Sequence, residues 1–291
     1  MSETGSYPAE RAPAVGAQAA SYGAAVAREQ ARQRTTVRLA LESYVYPTVT
    51  LVLLLAAWQI ATVVGEIPVY LLPGPIAIVE EMINRADILW KHGLVTLGEV
   101  VVGFALSVAV GIPLAVLISY SRVFERTIYP LLVSSQTIPK VAIAPLFIVW
   151  FGFGIMPKIL ITFLIAFFPI VIDTVVGLRS TPQEMFYLVR SMGASPWQTF
   201  WKVRLPNALP SIFGGLKVAI TLAVVGAIVG EFVGADQGLG YLIQIANGNL
   251  DTRLLMGSIV VLAVIGIALF LIIEWIERLL SRGPVRSGRD S

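Results

Sequence analysis

TPQEMFYLVRSMGASPWQTFWKVRLP, residues 181–206, is the stretch that decides how the chain is organised. Thr181-Pro182-Gln183-Glu184 reads as a helix start: a threonine cap, proline at the first helical position, and glutamate three residues after the cap. The helix it opens puts Met185, Leu188, Val189 and Met192 on one side. Gly193 stops it, because glycine accepts left-handed backbone at a helix end. Ser195-Pro196-Trp197-Gln198 repeats the start signal with a serine cap and a glutamine at the third helical position. The second helix groups Trp197, Phe200 and Trp201, with Lys202 and Arg204 among them, and Leu205-Pro206 is expected to end it. Large apolar side chains in such a loop need a cover, either the chain's own helices or another protein.

The surroundings of the loop are apolar. Of the 291 residues, 56% are hydrophobic and 13% charged, against about 25% charged in a soluble domain. A surface so poor in charge needs lipid over much of it. About 20 apolar residues cross a bilayer as a helix, and six segments qualify: Tyr44–Val64, Leu94–Ile118, Ile128–Phe151, Pro157–Leu178, Ile212–Val233 and Leu254–Ile276. The expectation is an all-α membrane protein of six transmembrane helices over residues 44–282, with polar tails at 1–43 and 283–291. The first tail lacks the apolar core of a secretory signal and reads as flexible.

Basic residues set the orientation. With the N-terminus inside, the tails and the 119–127 and 179–211 loops hold Arg11, Arg28, Arg32, Arg34, Arg38, Arg122, Arg126, Arg179, Arg190, Lys202, Arg204, Arg278, Arg282, Arg286 and Arg289. The outside holds only Arg85, Lys91, Lys158 and Arg253. The positive-inside rule then makes both ends and the 179–211 loop cytoplasmic. The same rule accounts for the clustered arginines without nucleic acid. Between the first two spans, Pro73-Gly74-Pro75 makes a turn, and Ile76, Val79, Met82 and Ile83 recur at helical spacing, which reads as an amphipathic helix.

Chemistry is largely excluded. There is no cysteine and a single histidine, His92, so thiolate nucleophiles and multi-histidine metal sites are absent. No G-x-x-x-x-G-K-[ST] occurs, so any ATP must be hydrolysed by another polypeptide.

Gly193, nine residues, then Val203-Arg204-Leu205-Pro206 is similar to the second half of the EAA signature of inner-membrane permeases of binding-protein-dependent ABC transporters. RSMGASPWQTFWKVRLPNALPSIFGGLKVAI, QTIPKVAIAPLFIVWFGFG and VGEFVGADQGLGYLI resemble the sulfonate, taurine and nitrate branch. The likeness runs from about Pro73 to about Leu280. The E-A-A positions themselves are occupied by Tyr187, Leu188 and Val189, a departure from the pattern. The resemblance implies a type I ABC importer (MetI-like) permease in the bacterial inner (plasma) membrane. It implies no cofactor in this chain, a partner ATPase subunit carrying ATP and Mg, an extracytoplasmic solute-binding protein and a second permease copy as a homodimer. It makes the 179–211 loop the coupling helix, with Met185, Leu188, Val189, Arg190, Met192, Gly193, Ala194, Ser195, Trp197, Phe200, Trp201, Leu205 and Pro206 facing the ATPase. Similar permeases carry sulfonates, taurine, nitrate, bicarbonate, aromatic carboxylates and thiamine-precursor pyrimidines, and the expected solute is small, polar and anionic.

Ionisable residues at bilayer depth cost about 2.5–3.5 kcal/mol on insertion scales, so they usually face a pathway or a partner. Lys140 lies between Pro139 and Pro145, which should interrupt the third span. It could hold an anion, pair with Asp173, or snorkel to the interface. Asp173, Lys217 and Glu231 are further pathway candidates, with structural pairing as the other account. Gly226 and Gly230 fit small-xxx-small spacing and suit a dimer interface. An ion-coupled secondary transporter or channel is the alternative, and an intramembrane enzyme lacks a nucleophile–base pair.

Overall fold

The computed structural model describes residues 45–280, and every regular element among them is a helix. The expected tails, 1–43 and 283–291, lie outside the described residues. The chain divides into two compact units at Glu66/Ile67. In the first, α1 (Val45–Val64) is long and apolar enough to cross a membrane.

The second unit contains α2 (Pro75–Asn84), α3 (Ala86–Tyr120), α4 (Arg122–Ser135), α5 (Lys140–Phe151), α6 (Ile155–Arg179), α7 (Gln183–Ser191), α8 (Pro196–Thr199), α9 (Leu205–Gly234), α10 (Leu239–Gly248) and α11 (Thr252–Leu280). Five helices of the described chain meet the requirements of a membrane span, six when α4 and α5 count as one broken span. The break is sharp. The segment expected as a single span over Ile128–Phe151 turns by 98° between Ser135 and Lys140. Pro139 sits at the turn with ψ 98° and caps α5, and the residue before a proline is itself disfavoured in α conformation. Pro145, by contrast, stays inside α5.

The core is the packing of α6 between α3 and α9. Lipid tails are as apolar as the helices, so close fit replaces hydrophobic drive as the source of helix association. Small residues provide the fit. A Cβ on Gly226 would stand 2.8 Å from the Thr162 Cα, and one on Gly230 would stand 3.0 Å from the Lys158 Cα. These two glycines therefore serve the α6–α9 crossing within one chain, not the dimer contact expected from their spacing. Gly177 and Gly215 extend the same seam against Ala208 and Asp173. Ala166, Ile170, Val171, Ala219, Ala223 and Ala227 fill it.

The amphipathic helix expected after Pro75 exists as α2, but it buries Ile78 and leaves Ile76, Val79 and Ile83 exposed. Arg85 fastens its end, 2.6 Å from Glu81 and 3.3 Å from Asp251 at the start of α11.

Candidate functional site

The 181–206 loop folds as two short helices joined by a glycine turn. Its first helix opens one residue later than the sequence suggests. Pro182 is extended (ψ 144°), α7 begins at Gln183, and no side chain caps it. Thr181 is buried instead of capping, and its hydroxyl accepts from Asn207 Nδ2 at 3.4 Å, as does that of Ser180 at 3.1 Å. The hydroxyl is thus used to tie the loop's start to α9. At the other end of α7, Gly193 takes φ +75°. The Gly193 N–H donates to the Arg190 carbonyl and the Ala194 N–H to the Val189 carbonyl, both at 3.0 Å. This double closure is the Schellman helix stop. Ser195 and Gln198 then form the full reciprocal capping box.

The second helix does not end at Leu205-Pro206. It continues without a break through Phe200–Arg204, wound as a π-helix, into α9, so that one helical rod runs from Pro196 to Gly234. Pro206 has no N–H to give the Lys202 carbonyl and its ring crowds that turn. The wider winding, with the Leu205 N–H donating to the Phe200 carbonyl five residues back, absorbs the ring without stopping the helix.

The loop is braced against the ends of α3 and α4. Phe200 meets Tyr120 edge-on at 5.8 Å. Arg204 lies over both Tyr120 (4.8 Å) and Phe186 (4.7 Å). Arg179, at the end of α6, pairs with Glu125 at 3.1 Å. Phe186 and Val189 thereby turn partly inward, so the apolar face expected for α7 is divided. Met185, Leu188, Met192, Trp197 and Trp201 remain exposed, Met192 by 76% and Trp197 by 69%. Arg190 and Ser195 are exposed beside them, while Ala194 and Leu205 are half-buried. Among the described residues, no helix covers this surface.

The four candidate pathway residues separate. Lys140 and Asp173 do not pair. The 98° turn carries the Lys140 ammonium over the Phe168 ring, 4.3 Å from its centroid, while Asp173 lies half-buried against Gly215. Lys217 reaches Glu277 near the end of α11 at 2.7 Å. Glu231 is fully buried at the end of the bundle opposite the 181–206 loop.

Glu231 belongs to a cluster that sequence reading did not assemble. Its carboxylate accepts from the Thr96 hydroxyl at 2.6 Å and from the Gly240 N–H. Thr96 Oγ1 in turn accepts from the Leu239 N–H at 2.8 Å, and His92 Nδ1 accepts from the Gly238 N–H at 3.0 Å. Three successive amides of the α9–α10 turn are therefore held by α3 and Glu231. Gly238 has φ +115°, and any side chain there would collide with the Glu231 carboxylate. Alongside, Lys158 Nζ meets Glu99 Oε1 at 2.6 Å. Lys158, counted from the sequence as an outer-loop charge, is buried inside α6. Glu99 was readable as an acid within an apolar span, but its partners come from two other helices.

Against known families, the profile of the "Binding-protein-dependent transport system inner membrane component" matches residues 107–285. The chain belongs to this family of ABC importer permeases. Such permeases are transport subunits, not enzymes, and work with ATPase and binding-protein subunits. This permease is accordingly a multi-pass protein of the plasma membrane. It is 41% identical to the formylaminopyrimidine transport permease protein ThiX of Halalkalibacterium halodurans, over 80% of this chain and 94% of the relative. It is 39% identical to the riboflavin transport system permease protein RibX of Chloroflexus aurantiacus, over 80% and 88%. The taurine transport system permease protein TauC of Escherichia coli matches at 29%, over 80% and 87%. The permease of the MetNI methionine ABC transporter, in an inward-facing conformation, shares the fold with a TM-score of 0.59 at 22% identity, over 68% of this chain and 99% of that one.

Proposed function

We propose that the 181–206 loop is the cytoplasmic docking element through which a separate ATPase subunit, holding ATP and Mg, drives this permease. The observation that carries the reading is the exposed set Met185, Leu188, Met192, Trp197 and Trp201 on helices that are capped, glycine-stopped and braced. Exposed aromatic and methionine side chains on a rigid support are what a protein interface uses as anchors. Because Pro196–Gly234 is one rod, displacement of the docked end is passed along α9 to the α10 turn held by Glu231. In a detergent-purified complex, Trp197→Ala with Met192→Ala should weaken ATPase association at least thirty-fold, as expected for anchor residues. Unchanged association would overturn the reading, and so would labelling that places residue 192 outside the cell.

The pathway lies in a homodimer of this chain, and Lys140, at the break between α4 and α5, lines it. The exposed Val149, Trp150 and Phe153 near the end of α5 support a second copy there. The solute is small and polar and is delivered by an extracytoplasmic binding protein. A sulfonate-like anion is one reading, in keeping with the taurine permease relative. A planar nitrogen heterocycle is the second, favoured by the higher identity to the formylaminopyrimidine and riboflavin permeases. Thermal-shift titration of the cognate binding protein with taurine, an aliphatic sulfonate, a formylaminopyrimidine and riboflavin separates the two.

A further inference from the structure

Beside the exposed docking surface, α7 and α8 stand off from the end of α3 and leave a cleft of about 780 Å³. Three arginines line it: Arg122 from the first turn of α4, Arg190 from the last turn of α7, and Arg204 from the π-wound turn. None of them has a carboxylate partner among the described residues, since the nearby Glu125 is engaged by Arg179. Arg204 is fixed in place by Tyr120 and Phe186, and its Nε is buried without an acceptor. Three arginines on one cleft, with no carboxylate against them among the described residues, make a site that favours an anion.

A second chamber of about 230 Å³ adjoins the first and shares Tyr120 and Pro196 with it. Its other walls are Val116, Trp197 and Phe200, and it is almost wholly apolar. Val116 lies one turn inside α3 from Tyr120, within the apolar span itself. A free anion would fill only the arginine cleft. An acidic side chain of a docked protein would do the same, and would leave the chamber in the span's last turn empty. A molecule with an anionic head and an attached hydrocarbon chain fills both. Basic pockets at the membrane boundary are where anionic lipid headgroups bind.

We propose that the Arg122–Arg190–Arg204 cleft binds the phosphate of an anionic phospholipid, with part of its acyl chain in the Val116–Trp197–Phe200 chamber. The lipid becomes a wedge between the 181–206 loop and the ends of α3 and α4. The site needs only that the end of α3 lie at the bilayer surface, so it stands whether or not the ATPase docks where proposed above.

The test uses the full-length permease without ATPase, in nanodiscs of equal phosphatidylglycerol and phosphatidylcholine, released into a native mass spectrometer. The expected result is one phosphatidylglycerol retained per chain in preference to phosphatidylcholine. Each surface arginine contributes about five-fold in affinity for an anionic lipid, so R122Q/R190Q should lower retention by roughly twenty-five-fold. R122K/R190K, which keeps the charge, should restore most of it and guards against misfolding of the glutamine variant. Equal retention of both lipids, or unchanged retention in R122Q/R190Q, overturns the proposal. Competition by glycerol phosphate at concentrations comparable with the lipid would reassign the cleft to free anions. Complete displacement of the lipid on adding the ATPase would reassign it to the protein interface.

Discussion

Lys158 Nζ lies 2.6 Å from Glu99 Oε1, joining α6 to α3 in an ion pair whose two side chains are 6% and 0% exposed. Glu231 of α9 stands close enough to interact with both. One cation thus serves two buried carboxylates, and Glu99 Oε2 has no hydrogen-bond partner. Removing one member of such a group strands a charge, at about 3–5 kcal/mol, whereas removing both members with apolar replacements is often neutral.

The first prediction follows from that asymmetry. Lys158→Met should lower the thermal unfolding midpoint of the purified permease strongly, because Glu99 and Glu231 then face each other without a cation. K158M/E99M should recover part of the loss, because the Glu99 charge goes too while Glu231 keeps only its bonds from the Thr96 hydroxyl and the Gly240 N–H. If K158M alone unfolds like the wild type, the pair does not hold α3 and α6 together.

The α6–α9 seam gives a second prediction. Gly226→Ala introduces a Cβ 2.8 Å from the Thr162 Cα, a backbone atom that cannot swing aside. Over-packing of this kind costs about 1–3 kcal/mol. Gly214→Ala lies on the same helix with nothing within 4 Å, and should be neutral or gain up to about 1 kcal/mol from helix propensity. Unfolding of the two variants side by side separates packing from propensity. Equal stability of G226A and G214A would show that the helices do not approach as closely as described.

A third prediction concerns the stiffness of the loop. Ser195→Ala removes one half of the capping box, worth about 1 kcal/mol. Gly193→Val forces a β-branched residue into φ +75°, at a cost of about 1–2 kcal/mol. Neither residue packs in the core, so global unfolding should barely change. Hydrogen exchange over 183–199 should rise, and transport per ATP hydrolysed should fall in the order wild type, S195A, G193V. Unchanged exchange in G193V would mean that the turn is already loose.

How much of this was legible in the sequence depended on the range of the interaction concerned. The helix stop at Gly193 and the Ser195–Gln198 cap are local, set within five residues, and they stand where the residues place them. Five of the six expected spans were readable from apolar runs because the bilayer imposes a length, whereas the run Ile128–Phe151 hid a 98° turn. Partners across helices were not readable. Thr181 has the form of a cap, yet Asn207, some 26 residues on, engages its hydroxyl. Gly226 and Gly230 have the spacing of a dimer motif, but α6 of the same chain fills the space they leave. Lys158 looks like a loop charge until Glu99, 59 residues earlier, is brought beside it. Pro206 departs from its expected role for a different reason. A proline normally marks a helix boundary, and only the extra residue of the π-wound turn lets the helix pass it.

That turn supports the last prediction. In the wild type, the widened winding at Phe200–Arg204 sets the rotation of Trp197 and Trp201 relative to the buried face of α9. Pro206→Ala returns an N–H that can reach the Lys202 carbonyl, so the segment can relax to ordinary α-helix. Rewinding the π-turn as α-helix rotates everything N-terminal to it by about 100°, the angle per residue of a 3.6-residue helix. Helix stability should therefore rise slightly, while Phe200 leaves Tyr120 and the two tryptophans leave their exposed positions. The expected phenotype is a permease that inserts and unfolds at or above the wild-type temperature, yet hydrolyses ATP through its partner without moving solute. Crosslinking between cysteines placed at 120 and 200 reads the rotation directly: efficient in the wild-type background and lost in P206A. Retained crosslinking together with retained transport would mean that the bracing against α3 sets the π-winding and that Pro206 merely tolerates it.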